Sequence, residues 1–264
     1  MPETKVVKIA PAAWLLTTAL LLMPCGARAD AGPPYLTNDP GTPGDGHWEI
    51  NLASMQTIER GQASYEVPQI DINFGLGERL QLSYEIPYVV QSSTGQPRAS
   101  GWSNAITGVK WRFLDQGGWQ VSTFPQLQTA ASAAAQRTGI AVEGPRLLLP
   151  LEIAKTVGPF SVSFEAGYYR PWHGPEERIL GVVAGRYVTP RLELDAEIYN
   201  DHVLGSANVT TVDVGGRYKL HRGFILLFMA GRGLGADSGG QVQFLGFLGI
   251  QILLSNYGRT LSAE

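Results

Sequence analysis

Charged residues at every second position are the clearest chemical feature of this sequence. The segment LELDAEIYN places Glu193, Asp195 and Glu197 two residues apart, with apolar residues between them. Because side chains alternate between the two faces of a β-strand, these three carboxylates would share one face. Such a row could set the selectivity of a water-filled route, or it could pair with cations in a charged plug through which nothing passes.

Other segments extend the same pattern. RLQLSYEIPYVV sets glutamine, serine and glutamate opposite leucine, tyrosine and isoleucine, and ITGVKWRFL sets two basic residues opposite apolar ones. These charges would be costly to expose to lipid, but they are natural inside a barrel. The predicted pore-lining residues are Glu85, Lys110, Arg112, Glu152, Glu165, Glu193, Asp195, Glu197, Asp213, Arg217 and Lys219.

No catalytic residue, cofactor or metal site is predicted. A nucleophile and its base on one strand face need a spacing of two residues, and none of the four histidines supplies it. A lipid hydrolase that uses His202 and Ser206 is kept as an alternative. Asp39, Asp45 and Glu49 lack the spacing of a calcium-binding loop, so they do not predict a metal site.

Composition narrows the class of protein. The net charge is −3 and the basic residues are scattered, which argues against nucleic-acid binding. Charged residues make up only 16% of the chain, and its 32 glycines are typical of sheet proteins with many tight turns.

The first 29 residues resemble a secretory signal peptide. Lys5 and Lys8 precede an apolar run, and Ala27-Arg28-Ala29 supplies the small residues of a cleavage site. The run is short for a membrane-spanning helix. Cys25 leaves a lipid anchor as an alternative. Cleavage after Ala29 would leave no cysteine, which excludes disulfides and thiol catalysis.

After Gly46 the chain divides into segments about ten residues long, closed by turn residues. Strands that cross a bilayer need about 9 to 11 residues, whereas globular strands average about 5 to 6. The tight connections GLGER, DQGG, VGP, TPR and HRG alternate with longer ones, which is typical of outer-membrane barrels. A soluble sandwich or lipocalin-like barrel would show the same alternation of residues with shorter strands.

The sequence therefore predicts an all-β fold, a transmembrane antiparallel up-and-down β-barrel of about 12 strands. We expect it to span residues 47–254, after a periplasmic N-terminal segment, residues 30–46, and before a C-terminal tail, residues 255–264. The segments FILLFMAGRGLG and QVQFLGFLGIQILL are apolar on both faces and fit the pattern least.

Aromatic residues lie near many predicted strand ends. They predict girdles at the membrane interfaces, with ordinary sheet packing as the alternative. The residues are Trp48, Tyr88, Trp102, Trp119, Tyr169, Trp172, Tyr187, Tyr199 and Tyr218.

The stretch LTNDPGTPGDGHWEINLA resembles the start of the meta-pathway phenol degradation family of outer-membrane proteins. FGLGERLQLSYEIPY, residues 74–88, is similar to that family's second hairpin. The resemblance implies an outer-membrane barrel and passage of small solutes, hydrophobic or aromatic compounds among them. The shared motif is Thr37, Asp39, Gly41, Thr42, Gly44, Gly46, His47, Trp48 and Glu49.

Two functions follow from these features. The first is an outer-membrane channel or transporter for small solutes through a charged interior, and the second is a structural membrane barrel with a plugged lumen. The expected partners are outer-membrane lipid, a small-molecule solute and, during biogenesis, periplasmic chaperones and the barrel-assembly machinery. We expect the protein in the bacterial outer membrane.

Overall fold

The structure is a computed structural model that describes residues 32–235 and 242–255. The predicted signal peptide and nearly all of the predicted C-terminal tail, from residue 256 onward, lie outside these residues. The strands are β1 (Trp48–Glu59), β2 (Gln62–Leu76), β3 (Leu80–Ser93), β4 (Ala99–Trp102), β5 (Asn104–Gln116), β6 (Trp119–Thr123), β7 (Gln126–Ala130), β8 (Arg146–Val157), β9 (Phe160–Pro171), β10 (Glu177–Tyr187), β11 (Leu192–Val203), β12 (Val209–His221), β13 (Phe224–Leu234) and β14 (Val242–Leu254), and the helix is α1 (Ala133–Arg137).

These strands form one closed antiparallel barrel. β4 and β5 together make one crossing of the wall and β6 and β7 make another, so the wall has twelve crossings. The second pair is interrupted at Pro125, which has no N–H to donate to the ladder. β1 pairs with β14, from Trp48 opposite Leu254 upward, and this pairing closes the sheet. The predicted fold class is confirmed.

Short and long connections lie at opposite ends of the barrel, except that the two-residue connection 60–61 between β1 and β2 lies at the end with the long ones. Residues 77–79, 117–118, 158–159, 188–191 and 222–223 connect strands at one end, which we call the turn end. The other end, the loop end, carries residues 94–98, 131–145, 172–176 and 204–208. The helix α1 lies in residues 131–145, where the sequence indicated only a loop, and the Ser132 hydroxyl caps it by accepting from Ala135 N at 3.1 Å. Among the described residues no helix is long and apolar enough to cross a membrane.

The outer surface of the wall is apolar. Leu82, Leu151, Ile198, Val214 and Leu248, on five different strands, all have exposed side chains, and Val214 reaches 65% exposure. The residues next to them in sequence point inward, as the alternation predicts. An exposed apolar surface that runs around a whole barrel is suited to lipid rather than to water.

The aromatic-girdle prediction is wrong for three residues. Tyr169, Tyr187 and Tyr199 line the cavity inside the barrel, because they share a strand face with the inward-pointing charges. Trp48 and Trp119, in contrast, are exposed on the outer surface close to the turn end.

Residues 32–46, which we call the strap, lie inside the barrel ahead of β1. Tyr35 and Leu36 of the strap pack against Leu227, Met229 and Phe247 on the inner faces of β13 and β14. This contact explains why both final strands are apolar on two faces, since one face meets the outside and the other is covered by the strap. The strap therefore reaches well beyond the mouth of the barrel.

Candidate channel lumen

The strap is held against the inward faces of β8 to β14, a region that we call the filled sector. The Thr37 backbone N donates to Glu197 Oε1 at 2.6 Å, and Leu36 N donates to the other oxygen of the same carboxylate at 3.1 Å. Asn38 N donates to Glu165 Oε2 at 2.7 Å. Three successive backbone donors thus bind carboxylates that lie about halfway along β9 and β11.

Two basic residues hold the carbonyl side of the strap. Arg217 Nη2 donates to the carbonyl oxygens of Gly32, at 3.0 Å, and Pro33, at 2.9 Å. Lys110 Nζ on β5 donates to the Asp39 carbonyl oxygen. Charged donors and acceptors make stronger hydrogen bonds than neutral ones, so the strap is bound by the stronger kind along its length.

The same basic residues pair with buried acids of the wall. Arg217 Nη1 lies 3.7 Å from Asp195 Oδ2 and 3.9 Å from Glu193 Oε2, and Lys110 Nζ lies 3.7 Å from Glu152 Oε2. Glu152 and Glu193 are fully buried. Acids buried this deeply need a partner, and Arg217 and Lys110 supply one to these acids.

Tyr35 adds a neutral contact between the strap and this network. Its hydroxyl donates to Asp195 Oδ2 at 3.2 Å. Burial, and then the Asp195 carboxylate beside it, raises the pKa of the Tyr35 phenol above its ordinary value. The phenol therefore stays protonated and remains a donor.

Glycines on β2 and β10 have no side chain, and this leaves space for the strap. A methyl group at Gly181 on β10 would overlap Thr37 Oγ1, and one at Gly75 on β2 would overlap the Gly44 carbonyl oxygen. Gly44 has φ +88°, a conformation that glycine adopts without strain. Gly46 N donates to Gly75 O at 3.0 Å, so the strap is fixed to β2 just before β1 begins. The glycines of the family-like motif thus serve a close approach of two backbones.

The inward faces of β1 to β3 form a second region, the open sector, with a ladder of amides and acids. Asp71 Oδ2 accepts from Asn51 Nδ2 and from Asn73 Nδ2, each at 2.9 Å. Asn73 Oδ1 in turn accepts from Gln81 at 2.7 Å, and Asn51 also donates to Glu49 Oε1 at 3.1 Å. The ladder runs from the turn end toward the middle of the wall.

Glu85 continues the ladder on β3. It lies directly opposite Asp71 and accepts from Gln69 Nε2 at 2.7 Å. In the part of the chain that the structure describes, no lysine or arginine forms an ion pair with Glu49, Asp71 or Glu85. Glu49, Asp71 and Glu85 therefore lack the close ion pairs that Glu152, Glu193 and Asp195 make.

A cavity of about 630 Å³ lies between the strap and the open sector. From the open sector it is lined by Glu49, Gln69, Asp71, Asn73, Gln81, Ser83 and Glu85. Aromatic side chains, including Tyr169, Tyr187 and Tyr199, line it as well. The cavity thus combines a row of acceptors with aromatic surface.

The structure divides the predicted pore-lining residues into two groups. Glu85, Lys110, Arg112, Arg217 and Lys219 line the cavity. The acids that are buried in the filled sector and do not line it are Glu152, Glu165, Glu193, Asp195, Glu197 and Asp213. A pore-lining role for either group stays a prediction.

Sequence reasoning missed most of the open sector. Gln69, Asp71 and Asn73 alternate with Ile70, Ile72 and Phe74 in the same way as the charged segments do, so the signal was present. Gln69 and Asn73 carry no charge and leave Asp71 as a single acid, so this segment does not stand out as a row of charges. The hydrolase alternative finds no support in hydrogen bonding, since none of the bonds in the described ranges joins His202 to Ser206.

Solved structures resemble this barrel, although no protein-family model and no curated protein matches the sequence. An outer membrane channel from Pseudomonas putida F1 is 14% identical, with a TM-score of 0.63 over 86% of this chain and 100% of that one. The KdgM porin is 10% identical, with a TM-score of 0.55 over 77% and 98%. The NanC porin is 5% identical, with a TM-score of 0.56 over 77% and 98%. Identities this low show a shared fold.

Proposed function

We propose that the protein is an outer-membrane channel for small solutes and that its route is the cavity along the open sector. The observation that carries this proposal is the ladder of acids and amides on β1 to β3, which faces about 630 Å³ of space and makes no close ion pair among the described residues. Acids without a close ion pair are costly in a dry interior and are natural beside water. The fold shared with solved channels and porins supports the same reading.

The orientation follows from the two ends of the barrel. Short turns face the periplasm in outer-membrane barrels, so the turn end would lie there and the loop end outside. The apolar outer surface would contact lipid. Chaperones of the periplasm and the barrel-assembly machinery would handle the chain before insertion. The resemblance to the meta-pathway phenol degradation family agrees with this placement.

The solute class follows from the cavity wall. The acids of the open sector would attract the positive or donor groups of a solute. Lys110, Arg112, Arg217 and Lys219 line the same cavity and would attract its acceptors. Tyr169, Tyr187 and Tyr199 offer ring faces on which an aromatic group could lie. We therefore propose small solutes that combine polar groups with an aromatic ring.

The test compares one cysteine in each sector. Ser83 lines the cavity, whereas Ser163 points inward in the filled sector and is 3% exposed. We expect the pure protein to conduct in planar bilayers, and a positively charged thiol reagent to reduce the conductance of the Ser83→Cys variant. A negatively charged reagent should react more slowly, and the Ser163→Cys variant should react with neither.

A structural barrel with a plugged lumen is the second candidate, and the buried strap is the observation that favours it. The same experiment separates the two. If the parent protein does not conduct and the Ser83→Cys variant is not labelled from either side of the membrane, the channel proposal is wrong and the plugged barrel stands.

A further inference from the structure

The strap combines a fixed end with a detachable part. Its fixed end is the close approach of Gly44 and Gly46 to Gly75, where Gly75 N also donates to His47 O at 2.9 Å. Residues 32–42 form no strand with the wall and are held only by separate hydrogen bonds and by packing. Such a segment can leave its site without breaking the sheet.

The wall beneath this segment is polar on β9 and β11, although Tyr35 and Leu36 pack on apolar residues of β13 and β14. Glu165, Glu197 and Asp195 contact the strap, and Ser161 and Ser163 lie on the same inward face of β9. Burying these acids costs solvation that hydrogen bonds only partly return, so the polar part of the contact opposes permanent closure. If the strap leaves, water replaces its N–H groups on these carboxylates.

An unsatisfied atom at the contact leads to the same conclusion. Thr37 Oγ1 is buried and has no hydrogen-bond partner. It gives up hydration without a replacement while the strap is in place. Binding of the strap therefore costs hydration free energy, which is regained when the strap is released.

We propose that residues 32–42 are a gate, which swings about Gly44 and widens the route by uncovering the acids of β9 and β11. The proposal rests on the channel function proposed above. In the closed state solutes are confined to the cavity of the open sector. In the open state Glu165 and Glu197 join the wall of the route.

Thr37 and Gly181 allow the gate to be locked. The Cβ of Thr37 lies 3.0 Å from the position that a Cβ at Gly181 would take. This is about 0.5 Å less than the shortest usual Cβ–Cβ separation in a disulfide, so a small shift of the strap away from β10 would allow the bond. The natural Cys25 lies in the predicted signal peptide, so the exported chain should carry only introduced cysteines. We expect the Thr37→Cys, Gly181→Cys double variant to form this disulfide under oxidation, seen as loss of free thiol.

Single-channel recording in planar bilayers then tests the gate. The oxidised double variant should stay at its lowest conductance level, and a reductant should restore the switching of the parent. The Gly181→Val variant, which fills the place of Thr37, should spend several-fold more time at high conductance. The Val182→Ala variant, altered on the outward face one residue away, is the control and should match the parent.

Two results would overturn the gate and leave the channel intact. One is a double variant in which neither oxidation nor a short bifunctional thiol reagent links the two cysteines, since Thr37 would then not reside beside Gly181. The other is an oxidised double variant that switches like the parent. A different set of results would reject the channel function and the gate together. These are absence of conductance in the parent, in the reduced double variant and in the Gly181→Val variant, and a Ser83→Cys variant that is not labelled.

Discussion

The two sectors of the barrel interior use acidic residues in different ways. In the filled sector Arg217 joins Glu193 and Asp195 to the strap, and each of these acids is buried. In the open sector Asp71 and Glu85 receive hydrogen bonds from neutral amides and face a cavity. Inward charge alone thus says little about function in a barrel, whereas the identity of the partner separates acids that hold the strap from acids that face the cavity.

Charge reversal should separate the sectors most strongly. Glu193→Lys places a second cation against Arg217 in a buried site, and we expect it to lower the free energy of unfolding by about 3 to 5 kcal/mol. Glu85→Lys, its counterpart in the open sector, should change stability much less and should shift the reversal potential toward anions. Heat-modifiability on gels measures the first effect, and salt-gradient recordings measure the second. Equal destabilisation by both changes would contradict the division into sectors.

Truncation of the apolar inner wall should have the next largest effect. Leu227 is fully buried beneath the strap, so Leu227→Ala should cost about 3 kcal/mol through lost packing and a cavity. Leu248→Ala on the outward face is the matched control, because Leu248 is 60% exposed and should cost much less. Urea unfolding in micelles, followed by tryptophan fluorescence, provides the comparison. If the two losses were similar, the strap would not be packed on β13.

Removal of one hydroxyl from the strap should have a smaller effect. Tyr35→Phe deletes the hydrogen bond to Asp195 and keeps the ring, and we expect a loss of about 1 kcal/mol. Tyr84→Phe on the outward face of β3 is the control, since its hydroxyl makes no contact with the strap. The same unfolding measurement applies, and a stability equal to that of the parent would show that this hydroxyl adds nothing to the hold on the strap.

Neutralisation of one acid in the open sector should have the smallest effect. Asp71→Asn preserves shape, and it should lower the permeability of cations relative to anions by about twofold, because a single charge beside water is strongly screened. Reversal potentials in a salt gradient measure the change. A matched Asp195→Asn variant should leave the ratio nearly unchanged while the gate is closed, and a larger shift there than at Asp71 would mean that ions pass through the filled sector.

The strands of the barrel wall could be predicted from the sequence because the features that define a strand come from neighbouring residues. These features are the length of the segment, the turn residues that close it and the alternation of inward and outward side chains, as in Glu193 and Leu194. The structure confirms the strands that they predict. The limit of this reasoning appears at Ser103. Trp102 points outward and Lys110 points inward although both have even numbers, because an extra residue between β4 and β5 shifts the alternation. A bulge of this kind leaves no clear trace in the pattern of apolar residues.

The contents of the barrel could not be predicted in the same way. The hydrogen bond from Thr37 to Glu197 joins residues 160 positions apart, and neither residue carries a signal of its partner. The motif around Gly44 and Gly46 was recognised as a sequence similarity, yet its use as an anchor beside Gly75 required the closed barrel. Whether a carboxylate such as Glu85 faces a cavity or a strap depends on packing between strands that are far apart in sequence.

The position of the strap has a consequence for how the barrel is completed. The strap directly precedes β1, and β1 is the strand that pairs with β14. The inner faces of β13 and β14 are apolar at Leu227 and Phe247 and need a cover. Pairing of β1 with β14 therefore closes the sheet and places the strap against the apolar inner faces of β13 and β14 together, so that the seam and the contents of the barrel depend on each other.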